Sequence, residues 1–170
     1  TEDKELTALV YKTMADPYVG KLTLFRVFSG TLRSDSSAYN VRSGRDERIG
    51  QLFLIVGKDQ VPVSKIGPGD LGAVAKLQDT TTNDTLSAKE KKVSLKPIAF
   101  PKPTMTMAIS PKAKGDEDKI GSGLSRLSEE DPTFTVEKSP YTGQNLVSGM
   151  GDLHLEIMCS RLHKKFGVEV

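Results

Sequence analysis

Three prolines fall within seven residues, at Pro97, Pro101 and Pro103. Each fixes φ at about −65° and lacks a backbone N–H, so neither a helix nor a central strand can run through them. The stretch reads as a stiff, extended connection, and it divides the chain into residues 1–98 and 99–170. At 170 residues the chain has room for two small domains.

Residues 1–98 carry short apolar runs separated by turn residues. Lys21–Phe28 alternates and breaks at Ser29-Gly30. Ser37–Val41 follows, ended by Arg42–Arg45. Arg48–Val56 reads as a third strand and Leu71–Leu77 as a fourth, entered through Gly67–Asp70. Gly20, Gly50 and Gly72 sit at strand starts or inside strands, where barrels bend. The pattern predicts an all-β domain, a closed or nearly closed barrel.

After the prolines the period changes. Thr104–Ile109 alternates as a strand. Asp116–Glu130 predicts a helix, with Ile120, Leu124 and Leu127 on one face and acids crowding its first turn. Gly121 and Gly123 inside it each cost about 1 kcal/mol against alanine, with close packing as the one account of them. Thr133–Glu137 and Gln144–Ser148 flank a turn at Tyr141–Gly143, a hairpin. Asp152–Phe166 predicts a second helix burying Leu155, Met158, Leu162 and Phe166, with Gly167 as its C-terminal cap. Val168–Val170 begins another strand. The order β-α-β-β-α-β is that of a ferredoxin-like, split βαβ domain with its last strand truncated.

Composition excludes more than it proposes. Apolar residues are 36% and charged ones 27%, as in a soluble folded chain, and the net charge of +2 names no partner. Aromatics are 6% and Trp is absent, so stacking platforms for nucleic-acid bases are not expected. The lone Cys159 fits a reducing compartment and reads as a small core residue. With two histidines and one thiol no zinc site is expected, and Met105 and Met107 read as packing rather than ligands. No apolar run approaches the roughly 18 residues of a membrane span. Thr1–Glu5 is polar and acidic, unlike a signal or transit peptide, and the missing initiator Met suggests a processed chain or an excised piece.

Catalytic signatures are missing from the sequence. There is no Gly-x-x-x-x-Gly-Lys-Ser/Thr loop, no Gly-x-Gly-x-x-Gly after a strand and no nucleophile elbow. Glu129-Glu130 are adjacent, point in different directions and read as a solvated helix end. Arg42, Arg45 and Arg48 lie in or beside one Gly-containing loop, with Arg33 at the end of the preceding strand. Such a loop either meets phosphates or is solvated surface, and Asp46 and Glu47 dilute its charge in favour of the second. His154, in the first turn of the second helix, falls on the flank of the buried stripe and reads as a surface or half-packed residue.

Several longer runs carry a resemblance. Pro17–Gly30, Gly69–Leu77 and Thr82–Leu86 resemble the second domain of elongation factor G. Leu127–Phe134 and Thr142–Ile157 resemble its third domain, with Ser148–Ile157 as the clearest signature. The resemblance covers nearly the whole chain in order. It implies a translation-factor β-barrel followed by the ferredoxin-like domain. It implies no enzyme in these residues, since the parent's GTPase domain, with its GTP and magnesium, lies outside them. Its implied partners are the small ribosomal subunit, RNA and protein, and the GTPase and C-terminal domains of the parent. The setting is cytoplasmic, without a membrane. The third domain would relay the nucleotide state during translocation. Matched to the family's switch-facing fusidic acid pocket are Asp131, Thr133 and His154, while Arg42, Arg45 and Arg48 are the candidates to face ribosomal RNA. In the signature run, Leu153, Leu155 and Ile157 are expected to serve packing, leaving Asp152 and His154 to face a partner. Asp152 stands where many members have Glu. Gly57–Val63 resembles the loop of an elongation factor G-like paralogue group, so the parent is either the main translocase or such a paralogue. The reading from another class is a free-standing RNA- or protein-binding module.

Overall fold

A computed structural model describes residues 4–16 and 19–170. Thr1–Asp3 of the polar N-terminus, and Pro17 and Tyr18 of the run Pro17–Gly30, lie outside the described residues. The chain divides into two compact units, Thr1–Ile98 and Ala99–Val170.

The first unit holds β1 (Thr7–Asp16), β2 (Gly20–Ser29), β3 (Leu32–Arg33), β4 (Ser36–Asn40), β5 (Arg45–Ile49), β6 (Leu52–Val56), β7 (Asp59–Val63), β8 (Lys65–Ile66), β9 (Leu71–Ala75) and β10 (Thr85–Ser87). Eight of these form one sheet in the order β5-β4-β10-β1-β2-β9-β6-β7, and β3 pairs with β8. The result is a half-barrel whose edges are β5 and β7. Phe25 and Val27 of β2 enter the main core with Ile49, Leu52, Val74 and Leu86. Leu22 and Leu24 of the same strand pack on the other face with Ala73, Phe53 and Tyr11. A strand covered on both faces is apolar on both, which is why its polar alternation is imperfect.

Three expectations change. Arg48–Val56 is two strands, because β5 ends at Ile49 and β6 begins at Leu52. The intervening Gln51 donates its side-chain amide to the carbonyls of Leu52 and Val63 at 2.9 Å, pinning the corner. Asp59–Val63, read as loop, is a strand that pairs with β6. Pro62 is tolerated there because β7 is an edge and needs no second partner. β5 begins at Arg45, three residues before the expected strand start at Arg48, so Arg45–Glu47 are strand rather than loop residues, and Glu47 is not a surface charge. It is 4% exposed, and its carboxylate accepts the backbone N–H of Gln78 and Asp79 and the hydroxyl of Thr80.

The second unit holds β11 (Met105–Ile109), α1 (Glu117–Glu130), β12 (Thr135–Lys138), β13 (Asn145–Gly149) and α2 (Asp152–Phe166). The sheet order is β11-β13-β12. Both helices bury their apolar stripes in one core with Phe134, Val147 and Val168. Gly167 takes the left-handed conformation (φ 69°) and its N–H caps the carbonyl of His163. Val168–Val170 forms no ladder among the described residues. The N–H of Lys112 donates to the carbonyl of Glu169 at 3.0 Å, which sets this segment beside the exit of β11. That is the position of the fourth strand in a ferredoxin-like sheet. Met105 packs on the core, whereas Met107 is exposed. Glu130 is no solvated end, since its carboxylate receives the Lys165 ammonium from α2 at 2.9 Å.

Close packing accounts for one of the two helix glycines. A Cβ on Gly123 would stand 2.6 Å from Leu162 Cδ1 and 3.2 Å from the Phe166 ring, so α1 approaches α2 there as only glycine permits. Gly121 faces open space.

Candidate functional site

Asp131 terminates α1, its N–H still bonded to the carbonyl of Leu127. Its Oδ1 then turns the chain by accepting the N–H of Thr133 at 2.9 Å and the Thr133 hydroxyl at 2.6 Å. This local turn delays β12 to Thr135, two residues later than the alternation suggests. The other oxygen, Oδ2, lies 3.1 Å from Nε2 of His154 in the first turn of α2. Nδ1 of His154 accepts the N–H of Met150 at 3.1 Å. With one ring nitrogen accepting, the hydrogen-bond network assigns the proton to Nε2, which donates to Asp131. The Phe134 ring meets the imidazole edge-on at 6.3 Å. A Cβ on Gly149 would come within 3.0 Å of Nδ1, so a glycine there keeps the ring in place.

Burial raises the Asp131 carboxyl, but hydrogen bonds from Thr133 and the neighbouring His154 outweigh it and hold the group below the usual carboxylate range. The assembly is a latch. It ties the end of α1 to the start of α2, across 23 residues of sequence. Both imidazole nitrogens are engaged, so the ring cannot act as a free base without breaking a bond. The chemistry suits positioning and recognition rather than proton transfer.

Around the latch lies an exposed apolar row, and two of its members, Leu153 and Ile157, are ones the signature run was expected to pack. Leu153 is 66% exposed and Ile157 44%, with Met150 at 40%. Leu155 is buried, and two residues along a helix is about 200° around it, so Leu153 and Ile157 fall on the opposite face. The helical period alone contains this result.

The three arginines are not one free patch. Arg42 Nε meets Asp84 Oδ1 at 2.6 Å, and Arg42 also donates to the Asp79 carbonyl. Asp84 is 3% exposed and also accepts from Asn40 and from the N–H of Thr81. Burial raises its carboxyl, and the Arg42, Asn40 and Thr81 hydrogen bonds more than reverse that. Arg45 pairs with Asp79 at 3.1 Å. Arg48 is exposed and makes no ion pair among the described residues. Asp84, Glu47 and Met150 carry no signal in the sequence, because their roles depend on partners distant in sequence or on a backbone N–H. Cys159 is half-buried, and burial, then Glu156, raises its thiol. Among the described residues no cluster suits a metal ion, and no helix is long and apolar enough to cross a membrane.

Residues 5–89 match the family model described as elongation factor G domain 2, and residues 100–170 the one described as elongation factor G, domain III. The structure is similar to a crystal structure of a Thermus thermophilus protein, with TM-score 0.84 and 31% identity. That similarity covers 98% of this chain and 25% of the other, so the chain spans about a quarter of its length.

Proposed function

The chain belongs to the elongation factor G family through its domains 2 and III, and we propose from that premise that it serves as a non-catalytic part of a cytoplasmic ribosomal translocation factor. In this reading the half-barrel docks on the small ribosomal subunit. The αβ domain transmits the state of a GTPase domain, which would hold GTP and magnesium, toward the C-terminal domains. The observation that carries it is the Asp131–Thr133–His154 latch beside the exposed Met150, Leu153 and Ile157. It is a hydrogen-bonded polar junction at the meeting of two helices, flanked by an exposed apolar row. A relay requires a surface that a partner engages differently in two states, and an exposed apolar face beside the latch supports that reading. Of the three arginines, Arg48 is the one whose charge is available to RNA phosphate.

The test places these two domains in a complete elongation factor G and changes His154→Ala. Coupling between sites is typically about 1–3 kcal/mol, or roughly 5–150-fold. Translocation rate or fusidic acid response should shift within that range, and by more than the stability of the αβ domain, read by amide hydrogen exchange at Leu124 and Leu127. A stability loss with translocation and drug response intact would reduce the latch to packing.

A further inference from the structure

A groove of about 490 Å3 opens on the half-barrel between the edge strand β5 and the strands β6 and β9. β5 pairs with β4 and with neither β6 nor β9, so the groove marks the seam where the sheet does not close. The volume falls within the roughly 300–1,000 Å3 of small-ligand sites. Half-buried Phe53 and Ala75 form an apolar floor, backed by the cluster of Leu22, Leu24 and Ala73. Exposed Arg48, Lys76, Gln51 and Gln78 also line it.

Two features set this groove apart from ordinary polar surface. The first is its charge. Arg42 and Arg45 are engaged by Asp84 and Asp79. The carboxylate in the groove wall, Glu47, has both oxygens occupied by the donors of Gln78, Asp79 and Thr80. Arg48 and Lys76 form no ion pair among the described residues, so the wall keeps two cations available to a ligand. The second is backbone strain. Lys76 has φ 65°, in the left-handed region that residues with a Cβ rarely adopt. Its N–H is held there by the carbonyl of Lys21 at 2.9 Å. Glycine would make this bend without strain, and a strained residue lining a groove points to use of its side chain.

We propose that this groove binds one nucleoside monophosphate, its base on the Phe53 and Ala75 floor and its phosphate between Arg48 and Lys76. The amides of Gln51 and Gln78 each offer donors and an acceptor, the complement of a base edge. A cationic wall beside an aromatic floor is the combination by which proteins hold single-stranded nucleic acid. The scarcity of aromatics along the chain argues against such a platform, and the groove departs from that expectation in that one ring, Phe53, receives one base. The nucleotide is supplied either free or as the terminal residue of an RNA strand. This site is separate from the αβ-domain latch and needs no GTPase domain.

The test titrates the 170-residue chain with adenosine monophosphate, followed by amide NMR, and with a 5′-fluorescein-labelled RNA hexanucleotide, followed by anisotropy. The same titrations are run on Lys76→Gly with Arg48→Gln. Glycine relieves the strain at position 76 and Arg48 is exposed, so this variant keeps its fold, which thermal unfolding checks. Saturable binding is expected, with shifts centred on Phe53 and Ala75 and at least a tenfold weaker affinity in the variant. For the RNA, the salt slope should fall by about 0.7 for each phosphate that the variant no longer neutralises. Saturation by adenosine monophosphate names the free nucleotide as ligand, and saturation by RNA alone names the strand terminus. Absence of saturation by both probes, or equal affinity in the folded variant, overturns the proposal.

Discussion

Gly121→Ala and Gly123→Ala, two residues apart in α1, should change the stability of the αβ domain in opposite directions. Both remove the same helix penalty, a gain of about 1 kcal/mol. At Gly121 nothing lies within 4 Å of the new Cβ, so the gain stands alone. At Gly123 the Cβ arrives 2.6 Å from Leu162 Cδ1 and 3.2 Å from the Phe166 ring. Leu162 is fully buried and has little room to retreat. Overpacking of this kind costs about 1–3 kcal/mol, so the net at Gly123 is a loss of up to ~2 kcal/mol. Propensity cancels in the difference between the variants, which leaves the clash itself, about 1–3 kcal/mol. In a domain of this size that is a separation of ~4–8 °C for every kcal/mol. Because the chain has two domains, one melting temperature does not describe it. Amide hydrogen exchange at Leu124 and Leu127 reads the helix directly. Equal stabilities for the two variants, within about 0.5 kcal/mol, would refute the claim that Gly123 sets the approach of α1 to α2.

Asp84→Ala should destabilise the half-barrel by roughly 1–3 kcal/mol, because it takes one acceptor from buried Asn40, from the half-exposed Arg42 and from the N–H of Thr81; urea unfolding followed by NMR of the β-domain amides measures it. The folded carboxyls of Asp84 and Asp131 lie below their unfolded value of about 3.9. Their contribution is therefore complete above that pH and is lost as pH falls through the folded values. Acid titration of stability should show this loss below about pH 4, with a shallower slope in Asp84→Asn. Leu155→Ala should cost about 2–5 kcal/mol and Leu153→Lys less than about 0.5, read by the same hydrogen exchange; similar losses would mean that both leucines are packed.

Elements whose signals are local were legible from the residues alone. α2 runs from Asp152 to Phe166 as its apolar period and Gly167 indicate, and α1 begins one residue after the expected Asp116. β1 was not legible, because Thr7–Asp16 shows no clean alternation and takes its form from β2 and β10 on either side. The break between β5 and β6 was overrun because Arg48–Val56 is apolar enough for one strand, while the turn at Gly50-Gln51 depends on acceptors at Leu52 and Val63. His154 by period alone was a flank residue. Its bond to Asp131 required two helix ends to meet across an intervening hairpin.

Local chemistry in the chain specified its two helices, several of its strands and the family to which the motifs point. Each rests on neighbours within a few residues: a helical period, a capping glycine, an alternating run ended by turn residues. Pairing of charges was settled by the fold. Arg42, Arg45 and Arg48 are equivalent as sequence, yet one is held by a buried carboxylate, one by a surface aspartate, and one remains available. Glu47 is buried although its neighbours are exposed, and Leu153 is exposed although its neighbour Leu155 is core. Arg42 and Asp84 are 42 residues apart in sequence. Electrostatic and hydrogen-bond partners across such separations exist only once sheets and helices have closed over them.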